Sequence, residues 1–451
     1  MLVTVLAVEC KSERRNCNPC LPAPSHNAFV AAAQGQPGPK KTTRLLDGAS
    51  PRHTAMPHPS PFTRPFVRFA SAAAGFLLPW LESSADEGAP STNSPAESQR
   101  PVIGAIRWDA WYGEGSVTKA LEKTLGQRKY HFRLPWFAQI RGEEEVYING
   151  DSPEIMAREI SYAAQAGLNY WAFLHYWQEA PELGIALQHY LHSSHKRGIR
   201  YCLLEEGGRL DKIGLRAWPQ LVEHFRSPDY QKVLGGRPLL FVYTRPKALG
   251  RADWAELKRQ AVEAGMAPPY LVLMGWEMKQ DAQDMEELGF DALSAYARGG
   301  SYSMEQPSYA EQSRLVRERL WDPWQKQHIP CVTLASAGWD TRPRNERPPP
   351  WIQTLVEQPS PDPTPFSQQK PLLDPVTASP SELSAHLLEA IQWTQSHRAL
   401  NRANAILIYA WNEHDEGGWL QPTLGADGHP NEERIEALSK ILHAPTAPAR
   451  P

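Results

Sequence analysis

Short apolar runs alternate with longer amphipathic stretches from residue 102 to residue 442 of this 451-residue chain. Eight runs have the length of a buried strand, at residues 102–108, 168–174, 199–204, 238–243, 270–275, 290–296, 331–335 and 405–410. Strand-length runs separated by helical patterns are typical of βα units around a parallel sheet. Eight units predict a single α/β domain, a (β/α)8 TIM barrel over residues 100–445. The alternative is a doubly wound open sheet, but no Gly-rich phosphate loop follows any of the runs.

Sequence signals mark some of the intervening helices. The stretch 152–167 begins with Ser-Pro-Glu, carries apolar residues on one face and ends at Gly167. The tetrapeptide at 379–382, Ser-Pro-Ser-Glu, is a capping box that predicts another helix start. A last helix is predicted over residues 431–442, where it would close against the first strand.

Residues 1–99 are rich in Pro, Ala, Ser and charged side chains without helical or strand periodicity, which predicts a disordered tail. Within the tail, two arginines precede an apolar stretch at 69–81 that is too short to span a membrane. If translation starts at Met56, a signal peptide is expected at about 56–90, and the protein would be secreted or periplasmic. With translation from Met1, the stretch is an apolar island in the tail.

Composition excludes several classes of partner. The net charge of −3 and the pI near 6.6 provide no electrostatic footprint for nucleic acid or an anionic membrane, and no stable membrane insertion is expected. The 16 tryptophans favour a carbohydrate partner, because aromatic rings stack on the apolar C–H faces of sugars, although many of them are expected in the core. The composition leaves the oligomeric state undetermined.

The cysteines indicate neither a disulfide framework nor a metal site. Cys17 and Cys20 have metal-ligand spacing, but no second pair or suitably spaced histidine accompanies them. Cys202 and Cys331 lie in apolar runs, where a free thiol behaves as a small core residue. We therefore predict no metal and no cofactor.

The segment 411–418, Trp-Asn-Glu-His-Asp-Glu-Gly-Gly, directly follows the eighth apolar run. It places Glu413 and Glu416 at the carboxyl end of a strand, where barrel enzymes carry catalytic groups. Cleavage of a glycosidic bond needs two such groups, one to donate a proton and one to act as base or nucleophile. The alternative is a solvated acidic turn, but Trp411 and Trp419 are unusual beside such a turn.

Two motifs carry a family resemblance. The string WNEHDEGGW at 411–419 resembles the Asn-Glu-Trp-x-Glu-Gly signature of glycoside hydrolase family 99-like and WbsX-like proteins. The block AGWDTRPR at 337–344 resembles the Pro-Gly-Trp-Asp-Asn-Thr-Pro-Arg segment of WbsX-like chains. Two positions depart from the family pattern, since His414 stands where Trp is usual and Gln421 where Glu is frequent. These departures leave the identity of the substrate open.

The resemblance implies a mechanism. In retaining, endo-acting members, the first glutamate acts as a base on the substrate's own 2-hydroxyl and the second protonates the leaving oxygen. Carried over, Glu413 is the base and Glu416 the acid. The spacing alone leaves the outcome open, since retention needs carboxyl groups about 5 Å apart and inversion about 6.5–9.5 Å. An acid role for Glu416 requires a raised pKa, which burial and the neighbouring Glu413 and Asp415 would supply.

Side chains just past each barrel strand converge on one cleft. Beside the two glutamates, the predicted substrate-binding residues are Asp109, Trp111, His175, Tyr176, Glu205, Tyr243, Arg245, Trp276, Tyr296, Trp339, Asp340, Arg342, Asn412, His414 and Trp419. The two aspartates could equally orient neighbouring Arg or Trp side chains. His414 has three further interpretations: a proton-shuttling neighbour, a replacement for the stacking Trp, or a hydrogen-bonded rim histidine.

Other strand-end and loop residues complete the predicted cleft. Glu206, Glu277 and Arg298 are interpreted as rim residues. The segments 130–137 and 342–379 are the predicted cleft walls, since both carry aromatic residues that could stack on sugar rings. A long Pro-rich connection such as 342–379 is typical of a lid, a binding loop or a disordered segment. Phe132, Leu134 and Phe137 could equally pack the first segment onto the barrel.

These observations predict a glycosidase that acts on a polysaccharide or glycan by a two-glutamate mechanism, with retention favoured. Two alternatives stay open. One is a sugar-transferring enzyme of surface-polysaccharide assembly, a setting in which WbsX-like proteins occur, although a secretion signal would argue against cytoplasmic nucleotide-sugar donors. The other is a carbohydrate-binding barrel that has lost catalysis, against which the presence of both Glu413 and Glu416 argues.

Overall fold

The computed structural model of the protein describes residues 100–177, 180–298, 306–352 and 376–444. The predicted tail with its possible signal peptide lies outside the described residues, as does most of the predicted wall at 342–379.

Eight parallel strands form the centre of the fold. They are β1 Val102–Arg107, β2 Tyr170–Leu174, β3 Arg200–Glu206, β4 Arg237–Tyr243, β5 Tyr270–Met274, β6 Ala292–Ser294, β7 Thr333–Ser336 and β8 Ala405–Tyr409. Neighbours along the chain pair from β1 to β6 and from β7 to β8, and β8 pairs with β1. A parallel bridge between Leu293 and Cys331 joins β6 to the start of β7, so the ring closes. The predicted (β/α)8 barrel is confirmed, and each predicted run overlaps one strand.

Helices surround the barrel. In the described part of the chain they are α1 Ser116–Leu125, α2 Pro153–Ala166, α3 Ile185–His192, α4 Gly207–Ile213, α5 Trp218–Arg226, α6 Arg251–Glu263, α7 Met278–Leu288, α8 Tyr309–Val316, α9 Asp322–Lys326, α10 Arg342–Glu346, α11 Pro380–Ser396 and α12 Glu433–Leu442. A π-helical turn, Arg317–Trp321, connects α8 to α9. Short antiparallel pairs lie at the strand ends, among them Asn412–Glu413 with Gly418–Trp419.

The predicted helix signals act as expected. The Ser152 side chain accepts hydrogen bonds from the backbone N–H groups of Glu154 and Ile155, and α2 ends at Gly167 with a φ of 90°. Ser379 and Glu382 form the capping box of α11. The last helix, α12, packs against α2 and α11 in the outer layer rather than on β1.

A buried ion network joins the end of β1 to α2. Arg107 is fully buried, and its Nη2 lies 2.7 Å from Asp109 Oδ1 and 2.6 Å from Glu159 Oε2 on α2. The guanidinium also lies 4.4 Å from the ring centroid of Trp171 on β2. Buried charges are costly unless they are paired, so the three groups depend on one another. Cys202 and Cys331 are free and buried in the core, as predicted.

Candidate active site

The paired glutamates lie on a tight turn that follows β8. Asn412–Glu413 pairs with Gly418–Trp419, and the 3-10 turn His414–Glu416 connects the two short strands. Gly417 closes the turn with a φ of 84°, and a Cβ there would lie 2.4 Å from the backbone nitrogen of Asp340. A side chain at Gly417 is excluded by both effects. The turn is therefore pressed directly against the segment that follows β7.

Glu416 has a hydrogen-bond donor on each carboxylate oxygen. Arg344 Nη1 donates to Oε1, and the Tyr409 hydroxyl donates to Oε2. Arg344 is fully buried on α10, and its Nε also donates to Asp415 Oδ2 over 2.5 Å. One guanidinium therefore holds two carboxylates of the turn, in the fork geometry that suits arginine.

Glu413 is held differently. Its side chain is buried, and the Tyr296 hydroxyl donates to Oε1 over 2.7 Å. Its Oε2 has no hydrogen-bond partner among the described residues and lies 3.9 Å from Arg344 Nη2. Burial raises the pKa of Glu413 well above its ordinary value, and the charge of Glu416 adds to this effect, while Arg344 opposes it.

Three partly exposed tyrosines lie near Glu413, and all were predicted. Tyr296 donates to Glu413, Tyr176 and Tyr243 lie within electrostatic reach of it, and Trp276 packs on Tyr243. The ring of Tyr243 lies 5.0 Å from Tyr296 and 6.2 Å from Trp276, measured between ring centroids. Aromatic rings and hydroxyl groups in this arrangement suit a sugar ring, which presents apolar C–H faces and a hydroxyl-rich edge.

Glu205 holds the predicted residue His175 in place. It is fully buried, and its carboxylate lies 2.7 Å from His175 Nδ1 and 2.9 Å from Trp177 Nε1, which donates to it. The carboxylate fixes the orientation of the imidazole, so Nε2 of His175 is the nitrogen directed away from Glu205. Glu205 is therefore a positioning residue for His175, the side chain that follows β2.

Asp109, Trp111 and Asn412 lie behind the turn, and all three are buried. Asn412 Nδ2 donates to Asp109 Oδ1 over 3.0 Å, and the same oxygen accepts a hydrogen bond from Arg107 Nη2. The Trp111 indole N–H donates to the backbone oxygen of Asn412 over 3.2 Å. Of the two interpretations of Asp109, the structure shows the orienting one, with an arginine and an asparagine as its partners.

Asp340 likewise orients arginines. Its carboxylate accepts hydrogen bonds from Arg133 Nη2 at 2.5 Å and Arg342 Nη2 at 2.7 Å. Burial alone would raise the pKa of Asp340, but the hydrogen bonds and charges of the two arginines outweigh it and lower the pKa to about 2. Arg342 is about one quarter exposed, at 25% of its side-chain surface, so it is the member of this group that solvent reaches.

Trp419 is packed between other side chains. Its ring stacks on His414 with centroids 5.8 Å apart, and the Arg434 guanidinium lies 4.0 Å from its centroid. Trp419 is buried, so its contacts are with the protein. Arg245 is also placed away from the cleft, because it is exposed and pairs with Asp284 and Glu287 on α7.

His414 is fully buried rather than at the rim. Its Nδ1 lies 2.6 Å from the backbone oxygen of Arg133, and its Nε2 lies 2.7 Å from the side-chain amide of Gln421. The two departures from the family pattern therefore contact each other. Both ring nitrogens are occupied by protein groups, which matches the hydrogen-bonded interpretation of His414 in every respect but its position.

Three residues at the site were missed from the sequence. Arg344 was quoted only as the end of a motif block and Arg133 only as part of the predicted wall 130–137, while Tyr409 was assigned no role at the site. The available signal was electrostatic, since the carboxylates of residues 413–416 require a cation when they are buried. The nearest motif that ends in arginines is the block at 337–344.

Substitution Trp339→Ala is expected to destabilise the protein. Only 6% of Trp339 is exposed, and its ring lies 5.6 Å from Tyr409. Loss of a buried indole should lower the free energy of unfolding by about 3–5 kcal/mol. Denaturant unfolding measures this, with Trp276→Ala at the partly exposed wall as the matched control, for which a smaller loss is expected. An unchanged midpoint for Trp339→Ala would contradict the core placement.

His414 is expected to stay neutral well below pH 6.5. Burial lowers the pKa of His414 to about 4 from its ordinary 6.5. The unfolded chain takes up this proton at a higher pH than the folded chain, so His414 makes stability fall as pH drops from about 6.5 to 4. Ring-proton shifts in an NMR titration measure this, with the exposed His429 as the reference signal. A midpoint for His414 near 6.5 would refute it.

The fold and the site define a (β/α)8 barrel with a pair of buried glutamates at the carboxyl end of its strands. Residues 215–429 match the family model described as "Glycosyltransferase WbsX". The predicted resemblance to family 99-like and WbsX-like proteins is thereby confirmed, and both motif blocks lie within the matched region. Sequence comparison with curated proteins gave no significant match.

Several solved structures match this chain at low sequence identity. The GH99 endo-α-mannosidase from Bacteroides thetaiotaomicron is 15% identical, with 75% of this chain and 95% of that chain covered at a TM-score of 0.45. Its complex with bis-tris-propane gives a TM-score of 0.46 at the same identity and coverage. A β-glucuronidase from Ruminococcus gnavus is 10% identical, with 66% of this chain and 46% of that chain covered at a TM-score of 0.37.

The described residues contain no group of three or more His, Cys, Asp or Glu side chains arranged to hold a metal ion. Within the same residues, every helix is too short or too polar to cross a bilayer.

Proposed function

We propose that the protein cleaves glycosidic bonds, with Glu413 and Glu416 as the two catalytic carboxyl groups. The observation that carries this proposal is the contact of both carboxylates with the single buried guanidinium of Arg344, on one turn beside an aromatic cleft. Two carboxyl groups of this kind are what the reaction needs, one as proton donor and one as base or nucleophile.

The chemistry divides between the two groups. As the bond between the anomeric carbon and the leaving oxygen breaks, one carboxyl group passes its proton to that oxygen. The other carboxylate accepts the proton of the attacking hydroxyl or attacks the anomeric carbon itself. Water finally supplies a hydroxyl group to the anomeric carbon and a proton to the protein. Because both carboxylates reach one guanidinium, we propose the closely spaced arrangement and therefore retention.

The wall beside Glu413 supports a carbohydrate substrate. Tyr176, Tyr243 and Tyr296 present partly exposed rings and hydroxyl groups near the glutamate, and Trp276 extends the aromatic surface outward. Tyr176 is itself held by a hydrogen bond of 2.8 Å from the Trp108 indole N–H. Rings that are fixed in this way bind a sugar at little cost in side-chain entropy.

Two other functions are distinguishable from this one. The description of the matching family favours transfer of a sugar from an activated donor. A barrel that binds glycans without cleaving them is the remaining possibility.

The test is a screen of the purified protein against plant, fungal and bacterial polysaccharides, with products separated and identified by mass spectrometry. New reducing ends that disappear in Glu413→Gln and Glu416→Gln would support hydrolysis. Parallel reactions contain nucleotide sugars and glycan acceptors. Two results would overturn the proposal. One is sugar transfer from a nucleotide sugar together with no glycan cleavage when the nucleotide sugar is left out. The other is glycan binding without any product.

A further inference from the structure

We infer that Arg434, on the last helix α12, is a positioning residue for the turn that carries Glu413 and Glu416. Its guanidinium joins that turn to the segment that follows β7, at the line where the two are packed together. This structural part of the inference stands on the contacts of Arg434. Its consequence for turnover rests on the proposed function.

Arg434 is a buried cation that no carboxylate of the described residues accompanies. Burial lowers the pKa of Arg434 to about 10, so the guanidinium keeps its charge near pH 7. Desolvation makes a buried charge costly, and such charges are normally paired. Arg107 and Arg344 follow this rule, since each pairs with carboxylates. For Arg434, hydrogen bonds to other groups must compensate for the burial.

The hydrogen bonds of Arg434 reach three separate segments. Nη1 donates to the backbone oxygen of Trp419, with a longer contact of 3.5 Å to that of Ala337, and Nη2 donates to that of Ala378 over 2.8 Å. These oxygens lie on the short strand that ends the turn, just after β7 and just before α11. A guanidinium presents its N–H groups in a planar fork, so one side chain can hold several acceptors at once.

The turn and the segment after β7 meet along a seam, formed by residues 337–340 on one side and 416–419 on the other. At one end of the seam, the Asp340 backbone N–H donates to the backbone oxygen of Glu416 over 2.6 Å. At the other end, Arg434 Nη1 contacts the first residue of one side and the last residue of the other. The seam is thus closed by a backbone hydrogen bond at one end and by Arg434 at the other.

The register of this seam determines how Arg344 meets the turn. Arg344 belongs to the continuation of the first side, whereas its partners Asp415 and Glu416 belong to the turn. If the two sides slide or separate, both contacts change together. Each contact of Arg434 described above is with a backbone oxygen, so Arg434 acts on the glutamates through the backbone of the turn. The last helix supplies this restraint from the outer layer of the barrel.

Hydrogen exchange of the full chain, followed by mass spectrometry of peptides, tests the seam without a substrate. Arg434→Met keeps an unbranched apolar stem and removes the charge and the hydrogen bonds. We expect peptides that contain residues 337–344 and 411–421 to exchange about tenfold faster than in the wild type, because a local opening of the seam then costs less free energy. Wild-type exchange in both peptides of Arg434→Met would overturn the inference.

Leu442→Ala is the matched control on the same helix. Leu442 is buried beside Gly167 at the end of α2, about two helical turns from Arg434. The cavity that it leaves should loosen α12 and speed exchange there, while the seam keeps its wild-type protection. Equal acceleration of the seam in both variants would show that docking of the whole helix holds the turn, and it would overturn the role of Arg434.

Arg434→Lys keeps the test decisive if Arg434→Met does not fold. Lysine retains the charge, but its ammonium lacks the planar fork that holds the seam and Ala378 together. Faster exchange at the seam is therefore still expected, to a smaller extent than in Arg434→Met. Wild-type exchange in Arg434→Lys would show that a charge alone suffices, and it would overturn the role of the fork.

Steady-state kinetics on the glycan found in the polysaccharide screen test the catalytic consequence. Arg434→Met should lower kcat by roughly 10–10²-fold with KM nearly unchanged, because a small misplacement of catalytic groups slows the reaction more than it weakens binding. Leu442→Ala should keep the wild-type kcat at a temperature where both variants are folded. An unchanged kcat, or a rise in KM alone, in Arg434→Met would overturn the catalytic consequence. Failure of the wild type to cleave any glycoside would refute the proposed function, whereas the exchange result would still stand.

Discussion

Substitution of either Glu413 or Glu416 by glutamine is expected to lower turnover on the natural glycan by roughly 10²–10⁴-fold or more. Each variant removes one of the two carboxyl groups that we propose to act on a single bond. Glutamine keeps the shape of the side chain, so sugar binding should persist. Steady-state kinetics measure the loss, and ligand titration measures the affinity.

The matched control is Glu277→Gln, which makes the same change at an exposed position after β5 on the same face of the barrel. It should retain wild-type turnover. The two active-site variants should also differ in stability. Burial, and then the charge of Glu416, raises the pKa of Glu413, so Glu413→Gln replaces a carboxyl group that favours its neutral form with a neutral amide of the same shape and should leave the melting temperature unchanged or higher. Glu416→Gln removes one of the carboxylates that Arg344 contacts, and its melting temperature should fall. Near-normal turnover in either glutamate variant would remove that residue from the mechanism.

Substitution Arg107→Met is expected to lower the free energy of unfolding by about 3–5 kcal/mol, because it leaves two buried carboxylates without their cation. Arg107 is fully buried, and so is its partner Glu159, while Asp109 is almost fully buried at 3% exposure. Methionine fills much of the same space, so the effect is one of charge rather than volume. Denaturant unfolding near pH 7 measures the change.

An identical substitution at the surface controls for the chemistry of the mutation. Arg128 pairs with Glu143 at 3.0 Å, but the two side chains are 76% and 72% exposed. Exposed pairs of this kind contribute little, so Arg128→Met should leave the unfolding midpoint within experimental error. Equal effects of the two substitutions would show that the Arg107 network contributes no more than a surface ion pair. Lower pH should also reduce the loss in Arg107→Met, because burial raises the pKa of Glu159 and this carboxylate can then bind a proton.

The parts of the fold that the sequence predicted are those with local causes. Strands that are buried on both faces appear as continuous apolar runs, and a serine with a glutamate three residues later appears as a helix start, as at Ser379. The turn that carries Glu413 and Glu416 was predicted at the carboxyl end of a strand by the same reasoning. These features depend on neighbours within a few residues.

The sequence predicted the directions of individual side chains less well than the positions of the strands. Arg245 and Tyr243 both come from the end of β4, yet Tyr243 faces the cleft and Arg245 pairs with the outer helix α7. Trp419 follows the turn that carries the two glutamates, but it is packed against His414 and Arg434. The position of a residue past a strand places its backbone at the cleft, whereas the packing of other elements decides where its side chain lies.

The sequence by itself determined the barrel, the strand that delivers the two glutamates and the aromatic character of the cleft, because burial patterns and short motifs specify these. Only the tertiary structure decided which cation meets which carboxylate. Arg344 reaches Glu416 across 72 positions of the chain, and Tyr296 reaches Glu413 across 117. The ionisation of a buried carboxyl group depends on the groups within a few ångströms in space, and the chain order of those groups carries no direct information about that distance.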